Sequence, residues 1–92
     1  MSAAAPPSPL TVRYFAGARA AAGTGEERID PTALPAPTMT GLLKWLSAAR
    51  GAPLAAVLPA CAFLVDGLSW HDHEAGLPAG ATIDVLPPFA GG

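Results

Sequence analysis

Cationic side chains are scarce in this chain, and cysteine is scarcer still. Arg13, Arg19, Arg28, Lys44 and Arg50 are the only lysine or arginine residues among 92, scattered against seven carboxylates for a formal net charge of −2. No basic stripe is available to follow a phosphate backbone, so no nucleic-acid partner is expected. Cys61 is the only cysteine, which excludes an internal disulfide, offers no zinc-ligand spacing and fits a reducing compartment. Within Ala60-Cys61-Ala62-Phe63-Leu64-Val65 it reads as a small hydrophobe buried in a strand. No apolar run approaches membrane-spanning length, and Met1 to Pro9 has neither the basic residue nor the apolar stretch of a signal peptide. A cytoplasmic protein with no membrane partner is the expectation. Missing too are a nucleophile beside a base and a phosphate-binding loop, so the chain is not expected to be an enzyme on its own. His71-Asp72-His73-Glu74 has metal-ligand residue types, but two histidines without a third ligand read as a polar loop, and no metal is assigned.

Proline and glycine, by contrast, are plentiful, at 11 and 10 residues, and they punctuate one domain. Residues 1–9, mostly alanine and proline, cannot build a core and read as a disordered arm. From Leu10 to Phe15 the chain alternates: Leu10, Val12 and Tyr14 share one side of a strand, and Thr11, Arg13 and Phe15 the other. Gly17 and Gly23-Thr24-Gly25 mark a long loop, after which Glu26 to Asp30 suits a short strand near a sheet edge, paired with the first as a hairpin. Pro31, Pro35 and Pro37 defer regular structure until Thr38, a suitable N-cap. Met39, Leu42, Leu43, Leu46 and Ala49 then recur at helical spacing, with Trp45 at the margin of the stripe, and Gly51 and Pro53 end the helix. Leu54 to Leu58 adds a turn or two before Pro59 leads into the strand of Cys61 to Val65. Asp66-Gly67 is a turn, and Thr82 to Leu86 is a last strand in which Ile83 and Val85 face one way.

Strand, strand, helix, strand, an irregular piece and a final strand suit an α+β fold. The expected form is a mixed sheet of four to five strands over residues 10–86, covered on one face by one main helix, in the β-grasp arrangement. A lone helix leaves the other face, Phe15 included, for a partner to bury.

The chain ends Pro87-Pro88-Phe89-Ala90-Gly91-Gly92. Prolines lack the N–H that strand pairing needs, so residues 87–92 should leave the sheet as an extended, flexible tail spanning about 20 Å at most. Glycine has no Cβ, so a doublet at the end lets a second protein's backbone close on the terminal carboxylate. Such a carboxylate can attack the α-phosphate of ATP and be passed, as an acyl-adenylate, to a sulfur or amine nucleophile.

Val12-Arg13-Tyr14-Phe15-Ala16 with Arg19 and Gly23, together with Ile83-Asp84-Val85-Leu86-Pro87-Pro88-Phe89-Ala90-Gly91-Gly92, resembles the MoaD/ThiS family of ubiquitin-like sulfur carriers over about Leu10 to Gly92. The Arg-Tyr-Phe-Ala opening favours the small subunit of molybdopterin synthase within it. The resemblance implies a β-grasp protein that binds no cofactor of its own. An E1-like, MoeB-like adenylating enzyme would activate it with ATP and magnesium, a sulfur donor protein would convert Gly92 to a thiocarboxylate, and a MoaE-like large subunit would accept the tail. Gly92 would carry the sulfur, Gly91 would permit its passage, and Phe15, Pro87, Pro88, Phe89 and Ala90 would contact the partner. Other readings of the same fold and end are a carrier for thiamine or cysteine biosynthesis, a ubiquitin-like protein modifier joined to lysines, and a non-covalent binding module with an idle Gly-Gly.

Overall fold

The computed structural model describes residues 8–88. Five strands form one mixed sheet: β1 (Leu10–Tyr14), β2 (Glu26–Ile29), β3 (Ala62–Val65), β4 (Leu68–Ser69) and β5 (Thr82–Leu86), in the order β2-β1-β5-β3-β4. β5 lies parallel to β1, with Val12 opposite Ile83 and Tyr14 opposite Val85, while β2 and β3 run antiparallel to their neighbours. The last strand is thus central, and the chain leaves the domain from the middle of the sheet.

Alternation decides the two faces. Leu10, Val12, Tyr14, Ile29, Phe63, Val65, Ile83 and Val85 are buried against the helices, because successive side chains of a strand point to opposite sides. The main helix, α2 (Met39–Arg50), starts where Thr38 accepts a hydrogen bond from the Gly41 N–H and ends at Gly51, and it buries Met39, Leu42 and Leu46. Trp45 packs at the margin of the core as expected, and Leu43, placed on the stripe, is also only partly buried there. Ala49, on the expected stripe, is exposed.

Two short helices complete the cover. α3 (Ala52–Val57) follows α2 directly and buries Leu54. The predicted loop between β1 and β2 instead contains α1 (Ala16–Ala22), which buries Ala18 and Ala22 and packs on α3. Alanine gives this helix its propensity but no contrast of large apolar and polar residues, so no period was visible. The predicted irregular piece after Gly67 likewise begins with β4, paired through Leu64 with Ser69 and Val65 with Leu68. β3 starts at Ala62, so Cys61 lies just outside the strand and is only half-buried. Its thiol donates to the Val57 carbonyl at 3.3 Å, and burial pushes it above the ordinary thiol range, which suits a packing residue rather than a nucleophile. Of the expected N-terminal arm only Ser8 and Pro9 are described, both exposed.

The C-terminal turn of α2 is tied to the hairpin by polar contacts. Arg50 donates two hydrogen bonds to Glu27, at 2.9 and 2.6 Å, and the Tyr14 hydroxyl donates a third. Burial and then the neighbouring Glu27 carboxylate push the Tyr14 hydroxyl well above its ordinary range. Burial alone would raise Glu27, but the hydrogen bonds from Arg50 and Tyr14 outweigh it and hold the carboxyl below its usual 4.5. A carboxyl depressed in the folded state contributes stability above its unfolded value and loses it as pH falls through the folded one. Urea unfolding should therefore show stability falling below about pH 4.5. Glu27→Gln should cost about 1 kcal/mol at neutral pH, given the partly exposed Arg50, and flatten that acid limb.

The segment after β4 is strapped to the start of α2. The Thr40 N–H donates to the His73 carbonyl at 3.0 Å, and the Leu77 N–H to the Pro37 carbonyl at 2.8 Å. Thr38 bridges Gly76, and the Thr40 hydroxyl donates to Glu74. His73 stands edge-on to Phe63 with ring centroids 5.5 Å apart, and Trp70 packs on the core. This polar stretch therefore fastens α2 to the sheet.

Candidate functional site: the C-terminal exit of the sheet

Where β5 ends, its neighbours build an apolar recess. The Phe15 N–H donates to the Val85 carbonyl at 3.3 Å, which holds Phe15 beside the last residues of the strand. The next residue, Ala16, has φ of +49°, a left-handed conformation uncommon for a side chain with a Cβ; it turns the chain sharply into α1. Phe15, Ala16 and Gly17 on one side, Leu86, Pro87 and Pro88 on another, and Val57 with Ala60 between them line a groove of about 610 Å³. Phe15 is 40% exposed, and with Leu68 it is one of two exposed large apolar side chains among the described residues.

The open face of the sheet carries one strong polar contact. Arg13 grips Asp84 in bidentate fashion, Nε to Oδ1 at 2.6 Å and an Nη to Oδ2 at 2.9 Å, across the parallel β1–β5 register in which the two residues are partners. Asp84 is 6% exposed, and the ion pair raises the already high Arg13 pKa further. The Arg13 guanidinium carbon also lies 5.8 Å from the centre of the Phe15 ring, a cation–π distance. Arg13 thereby fixes both the carboxylate in the central strand and the aromatic ring at the rim of the groove.

Of the residues expected to meet a partner, Phe15, Pro87 and Pro88 are brought together in one groove. Phe89, Ala90, Gly91 and Gly92 lie outside the described residues. Sequence reasoning missed Ala16, Gly17, Val57 and Ala60, because small residues in short helices carry no motif. It also missed the Arg13–Asp84 grip, although the alternation of β1 and β5 places both residues on the open face. Among the described residues no three or more His, Cys, Asp or Glu are grouped so as to hold a metal ion, and no helix is long and apolar enough to cross a membrane.

No protein-family model matches the sequence, and no curated protein does. Solved structures do. A chain of the protein–protein complex of subunits 1 and 2 of molybdopterin-converting factor from Helicobacter pylori superposes with a TM-score of 0.65 at 23% identity, covering 91% of this chain and 99% of that one. SAMP1 from Haloferax volcanii gives 0.74 at 23% identity over 92% of this chain and 100% of its own. Urm1 from Trypanosoma brucei gives 0.71 at 18% identity, with 97% and 100% covered. The chain has the ubiquitin-like β-grasp fold. The β-grasp neighbours include a molybdopterin-converting factor subunit, in agreement with the MoaD/ThiS resemblance of the first and last strands. In this β-grasp domain Phe15 both lines the groove at the end of β5 and lies against the Arg13 guanidinium of the open sheet face.

Proposed function

We propose that this protein is a sulfur carrier whose terminal Gly92 is adenylated and converted to a thiocarboxylate, and that it donates sulfur as the small subunit of a molybdopterin synthase. The observation that carries the reading is the central position of β5. A strand held on both sides by β1 and β3 delivers Pro87 and Pro88 to an apolar groove beside an exposed Phe15. A domain whose chain leaves through a central strand, followed by residues without charged side chains, is suited to presenting a terminal carboxylate inside another protein. The chain then serves as a co-substrate, and the chemistry of adenylation and sulfur insertion belongs to its partners.

The partners on this reading are an E1-like adenylating enzyme that uses ATP and magnesium, a sulfur donor protein and a MoaE-like large subunit, all in the cytoplasm. The Helicobacter pylori structure, a complex of the two converting-factor subunits, supports the last of these. Intact mass after incubation with ATP, magnesium, a MoeB-like enzyme and sulfide tests the chemistry. One oxygen replaced by sulfur is the expected product, and an unchanged mass with an intact fold would overturn the reading. Modifier activity is the second reading, favoured by TM-scores of 0.74 and 0.72 to structures of small archaeal modifier protein 1, against 0.65 to the converting-factor chain. It shares the activated Gly92 and differs in the nucleophile that takes it.

The groove predicts the cost of losing its aromatic rim. Phe15→Ser removes a solvent-exposed ring and should leave the folded state nearly unchanged. Binding to the large subunit should weaken by about 2 kcal/mol, roughly thirtyfold in Kd, as for an aromatic anchor at an interface; calorimetric titration measures it.

A further inference from the structure

Asp84 lies in the central strand on the open face of the sheet, yet it is buried. Burial is costly for a carboxylate that has no partner, and Arg13 supplies one from β1 through two hydrogen bonds. The net stability gained from such a pair is small, because taking the carboxylate out of water offsets much of the attraction. The preceding row of the same register, Thr11 opposite Thr82, fills the equivalent place with two uncharged side chains. The sheet can therefore be built without an ion pair, and the pair at Arg13 and Asp84 calls for another role.

Its second contact supplies one. Residues two apart along an extended chain share a face, and Phe15 keeps an extended backbone, with φ −122° and ψ 150°. Phe15 thus follows Arg13 on the open face, as Leu86 follows Asp84. The row after the ion pair consists of Phe15 and Leu86, and both line the groove at the end of β5. The Phe15 backbone is tied to Val85, while its ring stands partly in solvent beside the Arg13 guanidinium, whose carbon is 5.8 Å from the ring centre. The fork on Asp84 holds that cation in place, so the ring has a fixed surface to lie against.

We propose that Arg13 is a positioning residue: anchored on Asp84, it holds the Phe15 ring in the orientation in which the large subunit receives it. The inference rests on the carrier reading above and concerns how tightly that docking is made. A side chain ordered before association loses less freedom on binding than one ordered during it, a difference of about twofold to twelvefold in Kd for one side chain. Arg13 exerts this effect through Phe15 and not through a contact of its own with the partner. Asp84 acts one step further back, by fixing the guanidinium.

The test is a double-mutant cycle on binding of the full chain to a MoaE-like large subunit, read by calorimetric titration. The double variant Arg13→Thr, Asp84→Thr repeats the Thr11–Thr82 row with residues that suit a strand, and its urea unfolding curve should stay in place. With Phe15 present it should weaken binding about fivefold. In the Phe15→Ser background the same change should alter Kd by less than about twofold, because the ring it positions is gone. Arg13→Lys keeps the charge without the fork and should fall between; it carries the cycle if the threonine pair shifts the unfolding curve. An equal loss in both backgrounds would show that Arg13 meets the partner itself, and no loss in either would show that the ring needs no support. Each of these results would overturn the inference and leave the carrier reading standing. Absence of binding by the wild-type chain would overturn both.

Discussion

Removing Gly91 and Gly92 will abolish sulfur loading while leaving unfolding unchanged. The last described strand ends at Leu86, and among the described residues the buried core lies between Leu10 and Val85. Unfolding curves that superimpose on those of wild type are therefore the expected control, and on that condition the deletion tests chemistry alone. Loss arises in two ways that substitutions can separate. Without Gly92 the new end is a different carboxylate set back along the tail, out of register with whatever binds the ATP. With Gly91→Ala the carboxylate remains in register, but a Cβ enters the passage through which the tail approaches the adenylate. A displacement of about 1 Å at the reacting atoms is enough to cost about a hundredfold in rate. Pyrophosphate exchange by the activating enzyme, compared across wild type, Gly91→Ala and the double deletion, should fall in that order with unfolding curves superimposed. Retention of function in the deletion would favour a β-grasp module that binds without any covalent step.

How far the sequence disclosed this arrangement depends on whether a residue reports its surroundings. β1 and β5 alternate in sequence, so Leu10, Val12 and Tyr14 were placed on one side of their strand and Ile83 and Val85 on one side of theirs, and all five are buried. α2 has leucines at helical spacing and a hydroxyl cap, and both were legible. α1 was not, because its buried residues are alanines and, apart from Arg19, the rest of the helix is alanine and glycine as well, so only contact with α3 selects a face. β4 was missed for a different reason: two residues, both exposed, cannot show a period. The groove was half legible. Phe15, Pro87 and Pro88 declare themselves by chemistry, whereas Val57 and Ala60 reach the tail only because α3 packs on α1. His71 to Glu74 read as a polar loop, and the backbone hydrogen bond from Thr40 to His73 that fastens it to α2 is one that no side-chain pattern encodes.

The largest change in stability should come from one hydrogen replaced by a methyl group, at Gly41. A Cβ built on Gly41 would stand 2.1 Å from the Ala36 carbonyl oxygen and 2.9 Å from the Ala36 carbonyl carbon and nitrogen. These are backbone atoms, and they cannot swing aside as a side chain would. Ala36 sits between Pro35 and Pro37, whose rings fix φ and restrict the residue before each of them, so the crossing segment is stiff as well as close. Relief requires the first turn of α2 to move outward. That movement breaks the Gly41 N–H bond to Thr38 and strains the Thr40 contacts to His73 and Glu74. Overpacking of this kind typically costs about 1 to 3 kcal/mol, occasionally more. The helix-propensity gain from glycine to alanine returns about 1 kcal/mol, and the lost cap costs about 1 kcal/mol. With a backbone clash this short, Gly41→Ala should lie at the upper end, about 3 kcal/mol, which for a domain of this size lowers Tm by about 15 °C. Gly17 is the matched control: it also lies in a helix, and a Cβ there meets nothing within 4 Å. Gly17→Ala should therefore stabilise by about 0.5 to 1 kcal/mol. Opposite signs for the same substitution in two helices would locate the effect at the Ala36 crossing; equal signs would refute the contact as its cause.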